Sequence, residues 1–200
     1  MSEDYGNPWR PRIAVAIVTI AVIMGGLYVY GRFISPAKEM ERLAERLKMS
    51  DVPAERAEAA RALARMKVKS VAPLLEDALS DDDEGVRIAV IGSLGELKAE
   101  SAAGAIADLL KDKSARVRRS SATALGLLRS KSAVQPLIAA LKDKKADVRT
   151  EAVLALARIA DASALEPLEK VAKSDRDRGV KQTAKEAVEF LKTGQWPTEE

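Results

Sequence analysis

The 200-residue chain contains no cysteine and no histidine. Their absence excludes disulfides and removes thiolate and imidazole chemistry, and with them most zinc and non-haem iron sites. No metal or cofactor is expected, and cysteine usage says nothing about the redox compartment. Aromatic residues are scarce, at 4%. After Phe33 only Phe190 and Trp196 occur, too few to cradle bases along a nucleic-acid track. A large excess of one charge is also lacking. Thirty-three basic against 30 acidic residues leave a net +3, too mild to argue for nucleic acid. Glycine-rich phosphate loops are missing, since Gly92 and Gly95 fall inside a helical pattern. No enzyme is expected.

What the chain does have is repetition. Valine followed by a basic residue recurs at Val86-Arg87, Val117-Arg118, Val148-Arg149 and Val180-Lys181, in steps of 31, 31 and 32 residues. Six residues before each basic position stand Asp81, Asp112, Asp143 and Asp175. A third column reads Leu63, Leu94, Leu125, Leu156 and Val188. A fixed period of this length specifies stacked repeats, each unable to bury its apolar face alone. With 47% hydrophobic and 32% charged residues, and alanine and leucine carrying the apolar load, the chain suits short, closely stacked helices.

In chain order, residues 1–12 form a polar tail. Residues 13–33 begin with IAVAIVTIAVIMGGLYVY, an uncharged run. About 18 residues at roughly 1.5 Å each approach the thickness of the hydrocarbon core of a bilayer, predicting a transmembrane helix. Trp9, Tyr28, Tyr30 and Phe33 suit its interfaces. A cleaved signal peptide is the alternative, but the apolar run is long and no A-x-A-like site follows. Arg32, Lys38, Arg42 and Arg46 outnumber Arg10 and Arg12, which points to a cytoplasmic domain. The later residues are diluted by acids, however, and the compact Arg10/Arg12 pair favours an exported one, periplasmic if the source is bacterial. Single-pass membrane localisation is therefore expected.

Ser35-Pro36 can start a helix, and residues 34–50 read as a capping half-repeat. Residues 51–192 read as the repeat solenoid, with units at about 51–81, 82–112, 113–143, 144–175 and 176–192. Each full unit is a longer helix, a tight turn and a shorter helix. The longer helices show one apolar face, as at Val117, Ser121, Ala124, Leu125 and Leu128. The shorter ones carry Leu75/Leu79, Ile106/Leu110, Leu137/Leu141 and Leu168/Ala172. Pro136 and Pro167 sit near helix starts, where a missing N–H is harmless. Residues 193–200 form a tail without a period, in which Trp196 either folds back or is disordered.

The junctions Leu110, Asp112, Val117, Arg118 and Leu141, Asp143, Val148, Arg149, with the cores Ala124-Leu125-Gly126 and Ala155-Leu156-Ala157, resemble the HEAT-like repeat family. The likeness is to the short repeats of phycobilisome lyases in particular. The resemblance implies an all-α fold, a right-handed α-solenoid of HEAT-like helical hairpins, here preceded by the single transmembrane helix. It implies that the Asp and Arg columns link neighbouring units by hydrogen bonds, and that the second helices line a concave face. The family's hydroxylases need His-Glu metal pairs, which this chain cannot supply.

Two candidate surfaces follow. On the second helices, Asp77, Asp108, Ala139 and Lys170 are equivalent solvent-facing positions, with Glu76, Ile138 and Glu169 in the neighbouring column. Their change from acidic through apolar to mixed suits a protein partner better than a phosphate backbone. An ordinary solvated face is the plain alternative. The inter-repeat turns pass from the acidic run Asp81–Glu84 to a basic edge at Lys111, Lys113 and Arg116, then Lys142, Lys144 and Lys145. That edge could meet anionic lipid or an acidic partner, or simply be solvated.

The resulting expectation is a membrane-anchored scaffold or adaptor that binds another protein, itself a membrane protein or complex, with residues 13–33 in the lipid bilayer and no nucleic acid. A tethered binder of nucleic acid or anionic lipid through the basic edge is the alternative. A bilin-lyase-like subunit is the third reading.

Overall fold

The computed structural model describes residues 35–196. Over that range the chain is helix and turn throughout. It divides into two compact units, one ending at Arg42 and the other beginning at Leu43. The described part of the first is the start of α1 (Pro36–Met49), where Arg42 lies 3.6 Å from Glu39. The second unit begins with the rest of α1, which buries Leu43 and Leu47.

Long and short helices then alternate. The long ones are α2 (Pro53–Arg65), α4 (Glu84–Glu96), α6 (Ala115–Leu128), α8 (Ala146–Ile159) and α10 (Arg178–Thr193). The short ones are α3 (Ala72–Asp77), α5 (Ala103–Asp108), α7 (Val134–Ala140) and α9 (Leu165–Ser174). Each short helix is entered through a 3₁₀ turn, and α3 and α5 leave through another, at Ala78–Ser80 and Leu109–Lys111. The second helices are therefore shorter than their leucine spacing alone suggests.

The long helices stack in sequence, α2 on α4, α4 on α6, α6 on α8 and α8 on α10. Their core is the periodic apolar column: Leu63, Leu94, Leu125 and Leu156 have no exposed surface, and neither do Val86, Val117 and Val148. Leu75, Ile106, Leu137 and Leu168 do the same for the short helices. Burial of each such side chain stabilises the fold by about 1.5–3 kcal/mol. At Gly126 the stack tightens, since a Cβ there would lie 2.8 Å from the Ala155 Cα, whereas at the equivalent Gly95 the nearest atom is the Ala124 Cβ at 3.5 Å.

Three of the five long helices, α4, α6 and α10, start on side-chain caps. Asp83 accepts from the amides of Gly85 and Val86, Ser114 from Arg116, and Asp177 from Val180, each satisfying donors with no intrahelical partner. The hairpin turns within repeats each pass through a left-handed residue, Lys67, Lys98, Arg129 and Ala160, with φ between 51° and 57°. These turns lack glycine. Three carry a cation beside a helix C-terminus, where the helix dipole favours one. At the far end Trp196 stacks on Phe190 with ring centroids 4.8 Å apart.

The expected membrane localisation requires a correction. Among the described residues no helix is long and apolar enough to cross a membrane. The longest, α10, has 16 residues and carries six charged side chains, starting with Arg178 and Lys181. The segment 13–33, on which the expectation rested, lies outside the described residues. Neither single-pass membrane placement nor an exported repeat domain is carried further.

Candidate functional site

The Asp and Arg columns form a buried ladder. Arg56 pairs with Asp81, Arg87 with Asp112, Arg118 with Asp143 and Arg149 with Asp175, at 2.7–3.0 Å. Three pairs are bidentate fork-to-fork contacts, such as Arg118 Nε and Nη2 on the two oxygens of Asp143 at 2.7 and 2.9 Å. In the fourth, Arg87 donates through Nη2 to Asp112 at 3.1 Å, while its Nε lies close to the carboxylate without alignment. The remaining guanidinium nitrogen of each arginine donates to a carbonyl of the turn before its own helix: Ser50, Asp81, Asp112 and Asp143 respectively.

The sequence spacing invites pairing of each aspartate with the arginine six residues later. The carboxylate instead takes the arginine 25 or 26 residues earlier, and the later arginine takes only the aspartate's carbonyl. The cause is local. One oxygen of each aspartate accepts the amide two residues on, as Asp143 does from Lys145 at 2.8 Å, which turns the carboxylate back toward its own repeat. At Asp81 and Asp175 the arginine hydrogen bond outweighs burial and, with that amide, holds the carboxyl below the ordinary aspartate range. At Asp143 burial pushes upward most strongly, but Arg118 and the Lys145 amide together overcome it. These groups are fully engaged in cohesion.

The second-helix candidates separate into those that tie neighbouring repeats together and those that lie on the open face. Glu76 accepts the Ser101 hydroxyl at 2.9 Å, and Glu169 accepts the Lys192 ammonium at 2.6 Å, so both tie neighbouring repeats. Asp77, Asp108, Ala139 and Lys170 are exposed, and Ile138 is half-buried. Ile138 and Lys170 meet in an open cleft of about 620 Å³ between α7 and α9, with Leu141, Pro167 and Val171 as its apolar lining. Asp108 and Ala139 line a smaller cleft of about 420 Å³ between α5 and α7.

Part of the basic edge borders the clefts. Lys142 lines both clefts, and Lys111 lines the smaller one. Arg116 is paired with Glu84 at 3.0 Å. Lys113, Lys144 and Lys145 are exposed on the inter-repeat turns. The sequence reading missed Arg176, whose guanidinium donates to the Lys144 carbonyl at 2.6 Å and lines the larger cleft. It also missed Pro167 and Val171. The signal for Arg176 was available, since it directly follows a ladder aspartate. Among the described residues no cluster could hold a metal ion.

Stacked helical hairpins joined by a periodic ion-pair ladder define an all-helical repeat solenoid. A family model described as HEAT repeats matches residues 40–123 and 104–189, and the chain belongs to that family. No curated protein matches it. Among solved structures, the complex of CpcE and CpcF of phycocyanin lyase from Nostoc sp. PCC7120 is similar at 21% identity and a TM-score of 0.64, covering 76% of this chain and 98% of that one. An engineered protein is similar at 26% identity and a TM-score of 0.59, covering 78% and 81%. A designed armadillo repeat protein in complex with the peptide (KR)4 is similar at 22% and 0.57, covering 74% and 80%.

Proposed function

We propose that this chain is an interaction module that binds another protein through the face formed by its second helices, centred on the cleft between α7 and α9. The observation that carries this reading is the division of labour among charged and apolar groups. Every ladder carboxylate is consumed by an arginine, while Ile138, Pro167 and Val171 stay partly open to solvent under the exposed Lys142, Lys170 and Arg176. An apolar centre with a charged rim is the usual composition of a recognition surface. The likeness to a designed repeat protein holding a peptide supports the same reading. A nucleic-acid track along the basic edge has less support, because Arg116 is neutralised by Glu84 and the lining of both clefts lacks an aromatic ring.

Site-specific photocrosslinking tests the reading. Benzoyl-phenylalanine is installed at Ile138 or Lys170, and as a control at Leu127 on the long-helix side. Leu127 is 54% exposed. The expected result is a discrete protein adduct from the two cleft positions and none from the control. Equal adducts from all three positions, or none from Ile138 and Lys170, would count against the proposal.

A further inference from the structure

From the electrostatics of the cleft we infer the kind of partner it takes: an extended acidic segment carrying an apolar side chain. This rests on the second-helix face being a peptide-binding surface. The lining includes two aspartates, Asp143 and Asp175, and each already accepts three hydrogen bonds within the ladder and its turn. Asp143 receives Arg118 twice and the Lys145 amide, and Asp175 receives Arg149 twice and the Asp177 amide. Glu166 is the remaining carboxylate of the lining, loosely matched by Lys170 at 3.8 Å. Against it stand Lys142 and Arg176, neither of which forms an ion pair with another described residue, although Arg176 donates one N–H to a carbonyl. The donors left for a ligand are cationic, and of the three carboxylates in the lining only Glu166 stands outside the ladder.

The neighbouring turn carries an independent mark of the same preference. The long helices α4, α6 and α10 are capped by Asp83, Ser114 and Asp177, whereas α2 has Val52 and α8 has Lys145 there, neither with a side-chain bond to the helix. A lysine at a helix N-terminus opposes the dipole and leaves an amide uncapped. Three of the five long helices carry an acid or serine at this position, and of the five α8 alone carries a cation. Cohesion therefore does not account for the cation, which extends the positive rim beside Lys142 and Lys144.

The apolar floor of Ile138, Leu141, Pro167 and Val171 would seat a leucine- or isoleucine-sized side chain, with flanking carboxylates reaching Lys142, Lys170 and Arg176. Uniform polyanions fit less well. Their binding draws on cations spread along a track, and the same face carries Asp77 and Asp108 on the preceding repeats, both exposed.

Selection from a displayed library of random peptides of about ten residues, roughly 33 Å when extended, tests this on the full chain. The expected result is enrichment of sequences with an aliphatic residue flanked by Asp or Glu. Their affinity should fall at least about tenfold in Lys142→Glu/Lys170→Glu, and the on-rate should drop as salt rises. The same selection on Ile138→Glu should lose the aliphatic preference. Enrichment of basic or charge-neutral peptides that still depend on Ile138 would overturn the acidic assignment while leaving the peptide-binding face intact. Enrichment of nothing at all would overturn both. Retention of full affinity in Lys142→Glu/Lys170→Glu, checked as folded by circular dichroism, would also overturn the inference.

Discussion

Arg118 holds Asp143 through two hydrogen bonds of 2.7 and 2.9 Å and, with its third nitrogen, the carbonyl of Asp112 at 2.9 Å. One guanidinium thus joins two inter-repeat turns. Because Arg56, Arg87 and Arg149 make corresponding contacts, the ladder runs the length of the stack and fixes the spacing of its repeats. Only a planar, always-charged fork with several donors serves all three acceptors at once.

Removing one partner should therefore cost much more than removing both. Asp143→Ala leaves the buried Arg118 uncompensated and should lower unfolding free energy by about 3 kcal/mol. The double variant Arg118→Met/Asp143→Leu should recover a substantial part of that loss. Urea denaturation of both variants checks this, and equal destabilisation would sink the account of the ladder.

Acid should loosen the stack through the same residues. Asp81, Asp143 and Asp175 have folded-state pKa values below their ordinary value of roughly 4. A depressed carboxyl contributes stability that is full above the unfolded pKa and lost as pH falls through the folded one. Stability should be level, as far as these groups decide it, from about pH 6 to 5 and then decline steadily below about pH 4. Asp175→Asn should be less stable at neutral pH and show a shallower decline, as measured by thermal unfolding across pH.

The two glycines of one column should respond oppositely to the same change. Gly95→Ala has room at 3.5 Å and should gain roughly 0.5–1 kcal/mol from helix propensity. Gly126→Ala meets the Ala155 backbone at 2.8 Å and should lose about 1–2 kcal/mol net, as overpacking exceeds that gain. Denaturant midpoints of the two variants decide it, and a stabilised Gly126→Ala would contradict the close approach of α6 and α8.

Ala160 occupies a left-handed conformation at φ 57° without the dipole benefit that the cations at Lys67, Lys98 and Arg129 have. Ala160→Gly should raise stability by about 1 kcal/mol. An unchanged or lower midpoint would show that the turn is not strained there.

Much of this architecture was legible because the chain repeats itself. The columns at Val86, Val117 and Val148 and at Leu63, Leu94, Leu125 and Leu156 report which face of each long helix is buried, since only a face in contact with the next repeat needs the same residue every 31 positions. The ladder's members were visible for the same reason, but its pairing was not. Arg118 lies nearer Asp112 in sequence, and only the Asx turn at Asp143 directs that carboxylate back to it. The left-handed turns form a periodic column too, yet lysine, arginine and alanine there give no glycine signal to notice. The cleft was half legible: Ile138 and Lys170 stood out by position, whereas Arg176, Pro167 and Val171 join them only through the packing of α9 on its neighbours. The localisation inferred from residues 13–33 drew on hydropathy and the residues flanking that run, and no described helix is long and apolar enough to carry it.

The central claim is that cohesion resides in the ladder and recognition in the cleft between α7 and α9. It is tested most directly by measuring photocrosslinking yield from position 170 in wild-type and Ile138→Glu backgrounds, alongside the unfolding free energy of each. The account predicts that the adduct is lost in Ile138→Glu while stability changes by less than about 1 kcal/mol, because Ile138 is only half-buried. An adduct of undiminished yield in a folded Ile138→Glu protein would contradict it.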